Sequence, residues 1–349
     1  HSNVILDTGS PIPLLLPLST CPTCNRGQLE QRPHNLFDPS LSSTFTSTNP
    51  AIPVQLSFGS AGGGTVPYST PQGANCTVVR DTLTVGAHKI KNQQFLLCDE
   101  YSEGLRDQFA DGILGLSSVA SGAWPDGNQT EYGAVLAGLA GVKEFSVDFE
   151  EGRIVFGGGS NRGDREGVKN VKLEEELSKS RGGWVVETRW EGGDNDHDHD
   201  GGGEEAQEAA VALLDTGSAV MVTPDFDTAR RLYGSMSRDI RPIDSLGSWG
   251  VECEVWEKMG RDVKFVVGGS RGEKVEVVVK KEFLNVGEYP GQPGICQGLF
   301  LHPLTQAREP LRGRPAWIFG NALLRGYVTV WNWEEMSVGF GKVRGDPER

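Results

Sequence analysis

The sequence predicts a mostly β protein built from two similar lobes. Three observations carry that reading: strand-length apolar patterns recur along the chain, 47 glycines punctuate its 349 residues, and one seven-residue phrase occurs twice. The phrase is Val4-Ile5-Leu6-Asp7-Thr8-Gly9-Ser10 in the first half and Ala212-Leu213-Leu214-Asp215-Thr216-Gly217-Ser218 in the second. A chain of this length exceeds the usual single-core size, so two domains are expected. Their boundaries are placed at 1–150 and 151–345.

Taken in order, the strand candidates are Cys76 to Val85, Arg153 to Phe156, Val263 to Val267, Val275 to Val279 and Tyr327 to Trp331. The third and fourth flank Gly268-Gly269-Ser270-Arg271-Gly272, which reads as a hairpin around a glycine-rich turn. Helices are few. The strongest runs from Asp225 to Met236, with Thr223 as its cap and Pro224 in the first turn; Ala134 to Val142 is a weaker, glycine-diluted candidate.

With 33 basic and 47 acidic residues the formal charge is −14, which disfavours nucleic acid and anionic membrane as partners. Eight of the acids, with no Lys or Arg among them, fall between Glu191 and Glu208. Such a run buries too little apolar surface to offset its ordering entropy and is read as a disordered insertion, 191–208, on the second lobe. His197 and His199 within it offer a weak divalent-metal reading; a solvated loop is preferred and no metal or cofactor is expected. No run reaches the roughly eighteen uninterrupted apolar residues of a membrane helix, so no membrane span is expected in this chain.

The six cysteines, Cys21, Cys24, Cys76, Cys98, Cys253 and Cys296, are even in number. Glycosylation sequons stand at Asn75 and Asn128. Together they fit an oxidising, extracytoplasmic compartment, secreted or vacuolar/lysosomal in type. Half a zinc or redox site at Cys21-Pro22-Thr23-Cys24 is the competing reading, weakened by the lack of a second such pair. His34, His88 and His302 are scattered and read as ordinary loop or surface residues. No signal peptide is visible at His1.

A lone Asp-Thr-Gly is a common turn tripeptide; the specificity lies in the pairing. Each copy has a downstream apolar pair followed by glycine, in Asp111-Gly112-Ile113-Leu114-Gly115-Leu116 and in Trp317-Ile318-Phe319-Gly320. Asp7 precedes Gly115 by 108 positions and Asp215 precedes Gly320 by 105, a shared interval that implies internal duplication. If two such lobes meet about a two-fold axis, Asp7 and Asp215 converge in one cleft where both cannot ionise cheaply. They then share a proton, and a water held between them is deprotonated by one acid while the other polarises a carbonyl. Thr8, Ser10, Thr216 and Ser218 offer hydroxyls that pin the loops, and Gly9 and Gly217 allow close approach of the backbones.

These residues resemble the pepsin-type aspartic endopeptidases. The resemblance spans nearly the whole chain: VILDTGS, ADGILGL, ALLDTGS and the ending WIFGNALLRGYVTVWNWEEMSVGFG carry it, supported by Phe37 to Phe45 and by Phe145-Ser146-Val147. It implies a bilobal β fold with a central cleft, hydrolysis of peptide bonds in proteins, optimal activity at acidic pH, Asp7 and Asp215 as the catalytic acids, and a monomer. It also implies the bridges Cys253–Cys296 and Cys21–Cys24, with Cys76 and Cys98 as the remaining pair. The shared-proton chemistry is that of this family.

Two departures stand out. The hairpin flap that covers the cleft in the family begins Tyr-Gly at its tip; here Phe58, Gly59 and Ser60 take that place, and Leu14 is the nearest match to the tryptophan that the tyrosine would bond. An apolar flap contact is therefore expected in place of a polar one. Only six residues precede Asp7, where family members place further strands, so the sequence is read as a fragment of a longer precursor. The competing functional reading is a catalytically impaired binding or inhibitor-like protein on the same scaffold.

Overall fold

The computed structural model describes residues 1–24, 33–58, 64–70, 72–119, 121–123, 131–157, 167–192, 210–259, 261–269, 272–303 and 313–342. The acidic tract beyond Gly192, with His197 and His199, lies outside these residues, as do Asn128, Gly59 and Ser60. The chain divides into two compact units. One comprises His1–Lys143 with Lys179–Gly183, the other Glu144–Ser178 with Trp184–Arg349.

The first unit carries β1 (Val4–Asp7), β2 (Leu15–Pro17), β3 (Thr46–Ser47), β4 (Pro53–Phe58), β5 (Gln72–Val85), β6 (His88–Tyr101) and β7 (Gly112–Gly115), with a small pair β8 (Ser121–Ala123) and β9 (Glu131–Gly133). The main sheet runs β1-β7-β2-β6-β5-β3, and β4 pairs with β5. Its backbone is the long β5–β6 hairpin, which turns at Gly86, where φ is 57°. Cys76 and Cys98 stand directly opposite each other on those strands and are bridged, as are Cys21 and Cys24. Both bridges lie in the apolar cluster with Leu15, Val54, Val78, Leu96 and Ile113.

The second unit carries β10 (Glu144–Asp148), β11 (Arg153–Phe156), β12 (Lys169–Lys172), β13 (Trp184–Trp190), β14 (Ala210–Leu214), β15 (Met221–Val222), β16 (Arg241–Pro242), β17 (Trp249–Glu252), β18 (Val263–Val267), β19 (Val275–Val279), β20 (Asn285–Glu288), β21 (Ile295–Gly298), β22 (Phe300–Leu301), β23 (Ala316–Phe319), β24 (Tyr327–Asn332) and β25 (Ser337–Lys342). They form a sheet β19-β18-β13-β14-β23-β15-β22, a sheet β11-β10-β24-β25-β12 and a sheet β16-β17-β21-β20. The predicted hairpin is present: Val263 pairs with Val279 and Val267 with Val275, and alternate residues of each strand are buried. Aromatic rings fill the core. Phe145 stacks on Trp331 at 5.8 Å, Trp184 meets Trp331 edge-on at 5.2 Å, and the buried Trp331 indole N–H is satisfied by Thr329 Oγ1 at 2.8 Å. The third bridge, Cys253–Cys296, ties a short helix to β21.

The expected helix is Phe226–Gly234, and its cap is Asp225, not Thr223. The Asp225 carboxylate accepts the Thr228 N–H at 2.6 Å, whereas the buried Thr223 hydroxyl lies 3.2 Å from Leu301 O and 2.9 Å from Asp225 O. The weaker candidate shrinks to the single turn Val135–Gly138. His34, read as an ordinary loop or surface residue, lies in a loop but is buried there, and its Nε2 lies 3.0 Å from Gln108 O.

Candidate active site

In the first unit β1 lies parallel to β7, with Asp7 opposite Gly115. The chain turns at once: the Gly9 N–H donates to Asp7 Oδ1 at 2.8 Å, and the Leu116 N–H donates to Asp7 O at 2.9 Å. Thr8 is fully buried, and the Ser10 Oγ accepts the Ile12 N–H at 3.2 Å. Gly115 has no room for a side chain, because a β-carbon there would lie 1.9 Å from Ile12 O and 2.7 Å from Ser10 O. The glycine of the ILG triplet is thus where the acid loop folds back over its neighbouring strand.

The second unit repeats this construction. β14 lies parallel to β23, Leu214 stands opposite Phe319, and the Asp215 N–H donates to Phe319 O at 2.9 Å. The Gly217 N–H donates to Asp215 Oδ1 at 2.8 Å, matching the first loop. Thr216 is buried, and a β-carbon on Gly320 would lie 2.2 Å from Val220 O and 2.5 Å from Ser218 O. The third strand of the motif recurs too: β2 runs antiparallel to β7 and parallel to β6, and β15 runs antiparallel to β23 and parallel to β22. One difference is local. The Ser218 hydroxyl donates forward to Val220 O at 3.0 Å, whereas that of Ser10 accepts.

Both acids are partly buried, and each spends one carboxylate oxygen on its own loop. A carboxylate held this way has a fixed rotamer and a second oxygen oriented by the backbone, as a general acid or base requires.

The β4–β5 hairpin rises in the first unit as far as the pair Phe58–Gln72. Phe58 packs on the apolar cluster that also receives Ile5 and Ile12, the residues flanking the acid loop in sequence. Leu14 is buried. Asn75 sits exposed on β5, where its amide donates to Glu100. Asp111 is buried and had no role assigned from sequence; its partners Asn3 and Asn35 are distant in the chain, so no local signal marks them.

Among the described residues, perturbed titrations in the second unit cluster in the Asp244–Ser248 loop and beside it. Burial pushes the Asp244 carboxyl up, but bonds from the Tyr289 hydroxyl and the Ser248 and Leu246 amides outweigh it and hold that carboxyl below its usual range. Burial, together with the bond to Asp244, pushes Tyr289 up to about 12. Burial also lowers His302, against the opposing pull of Asp244 and of the Gly247 backbone.

The family model described as eukaryotic aspartyl protease matches residues 1–343. Mucorpepsin of Rhizomucor pusillus is similar, 26% identical over 87% of this chain and 68% of its own length. Gastricsin of Homo sapiens is 24% identical over 88% of this chain and 70% of its own length. Pepsin A of Canis lupus familiaris is 27% identical over 97% of this chain and 77% of its own length. With a mostly β architecture, the acid loop built twice on the same parallel pair, and a family match running from the first residue to 343, this chain belongs to the eukaryotic aspartyl proteases.

Proposed function

We propose that the chain is an aspartic endopeptidase in which Asp7 and Asp215 act as one dyad. The observation that carries this reading is the repeated loop: two carboxylates, each oriented by the amide of the second residue downstream, in a chain of this family. In the proposed reaction one acid is ionised and the other protonated. The ionised carboxylate takes a proton from water as the water oxygen bonds to the peptide carbonyl carbon. The protonated acid gives its proton to the carbonyl oxygen. The tetrahedral diol then collapses: one of its hydroxyls returns a proton to the acid that had protonated the carbonyl, the other acid gives its proton to the amine nitrogen as the C–N bond breaks, and the amine and the new carboxylic acid depart with the dyad again singly protonated. Acidic pH favours the state in which one acid keeps its proton.

Thr8, Gly9, Ser10, Thr216, Gly217 and Ser218 hold the two acids, and the β4–β5 hairpin, with Phe58, Gly59 and Ser60, covers an extended protein or peptide substrate through apolar contact. The three disulfides support an oxidising, extracytoplasmic setting, with Asn75 and Asn128 as glycosylation positions, and the chain acts as a monomer. One observation favours a second reading, a binding protein on the same scaffold: the flap position holds Phe58 where the family pattern has tyrosine.

The test is cleavage of an acid-denatured protein at acidic pH, with and without a transition-state-analogue inhibitor of aspartic proteases. Wild-type protein should cleave and be inhibited, and Asp7→Asn and Asp215→Asn should each remain folded and lose at least about a thousandfold in kcat. Comparable turnover by either variant would remove the dyad; no cleavage by wild type would favour the binding protein.

A further inference from the structure

Asp111 takes no part in the proposed reaction, yet it is 3% exposed and both of its carboxylate oxygens are engaged. Oδ2 accepts the Asn3 N–H at 2.6 Å and the Asn35 side-chain amide at 2.9 Å, and Oδ1 accepts the Asn35 N–H at 2.7 Å. In return the Asp111 N–H donates to Asn3 O at 2.6 Å, and the Tyr101 hydroxyl donates to Asp111 O at 3.3 Å. The carboxylate therefore extends the β1–β7 ladder by one rung, just before the pair Val4–Gly112.

The second unit shows what this rung replaces. Val211 and Ala316 occupy the same register there, four residues before Asp215 and Gly320, and the Val211 N–H donates to a main-chain acceptor, Pro315 O, at 2.9 Å. β14 also lies between β13 and β23, whereas β1 ends its sheet order among the described residues.

We propose that Asp111 is a positioning residue: its carboxylate locks the register of β1 and so sets the place of Asp7, four residues along the strand, without touching substrate. The kinetic half of this proposal rests on reading Asp7 as a reacting acid. An Asn at 111 has nearly the same shape, but its NH2 must face either the Asn35 N–H or the Asn3 N–H and Asn35 amide, so at least one donor loses its acceptor.

The experiment compares wild type with Asp111→Asn, and with the milder Asn35→Ala, by amide hydrogen exchange and by steady-state cleavage of a peptide. In Asp111→Asn, exchange at Val4 to Asp7 should quicken about 10- to 100-fold, with Ala210 to Leu214 unchanged. Its kcat should fall about 10- to 100-fold with KM within about threefold, as expected when a reacting group is misplaced. Asn35→Ala should move both readouts the same way by about threefold, and serves alone if Asp111→Asn does not fold. Wild-type exchange at β1 in the variants overturns the clamp. Faster exchange with unchanged kcat overturns the positioning role. If wild type cleaves nothing, the endopeptidase reading fails and exchange alone decides the clamp.

Discussion

Asp7 stands opposite Gly115 across the parallel pair β1–β7, and the loop that carries Asp7 onward passes so close to Gly115 that a methyl group has no place there. Gly320 stands in the same relation to the loop after Asp215. Since the obstacle in both cases is main-chain oxygen, which cannot rotate away, Gly115→Ala and Gly320→Ala should each cost roughly 3 kcal/mol or more. Gly234, at the end of a helix with open space around it, is the control: Gly234→Ala should be neutral or stabilising by about 0.5 kcal/mol. Chemical denaturation of the three variants checks this, and equal destabilisation by all three would contradict it.

The repeat was legible because its spacing encodes pairing. An acid and a glycine separated by 108 positions in one half and 105 in the other become neighbours across a parallel ladder, and such ladders need long connections. Strand identity was legible where burial alternates, as in Val263 to Val267. The helix cap was misread because Thr223 and Asp225 both suit the position, and only tertiary contact with Leu301 shows that the threonine hydroxyl is occupied elsewhere. The burial of His34 and the clamp at Asp111 depend on partners more than 70 residues away, a distance at which local pattern carries no information.

The helix cap gives a direct check. Asp225→Ala removes the acceptor for the Thr228 N–H and should lower stability by about 1 kcal/mol. A thermal unfolding midpoint equal to that of wild type would show that the cap contributes nothing.

The Asp244 carboxylate accepts the Leu246 and Ser248 amides at 2.8 Å each and the Tyr289 hydroxyl at 2.6 Å. Its folded pKa lies below the model-peptide value of 3.8, so the unfolded chain binds the proton more readily. The stabilisation is therefore fully present above pH 3.8 and is lost as pH falls through the lower folded value. Asp244→Asn should be less stable than wild type at neutral pH, with the gap narrowing in strong acid. A gap independent of pH would contradict the assignment.

The His302 Nδ1 accepts the Trp249 indole N–H at 2.9 Å, a bond that the imidazolium cannot keep. Its pKa is lowered from 6.5, so the unfolded chain binds the extra proton and stability declines as pH falls from 6.5 through the folded midpoint. Titration of the ring by NMR should give a midpoint below 6.5, and Asp244→Asn, by removing a neighbouring negative charge, should move it lower still. A midpoint at or above 6.5 in wild type would contradict this environment.

If Asp7 and Asp215 work on one water, as proposed, a crystal structure of the protein with a peptide analogue bearing a hydroxyl in place of the scissile carbonyl should show it. Both carboxylates should lie within about 3.2 Å of that single hydroxyl. An analogue held by one acid alone, or bound away from both, would contradict the account.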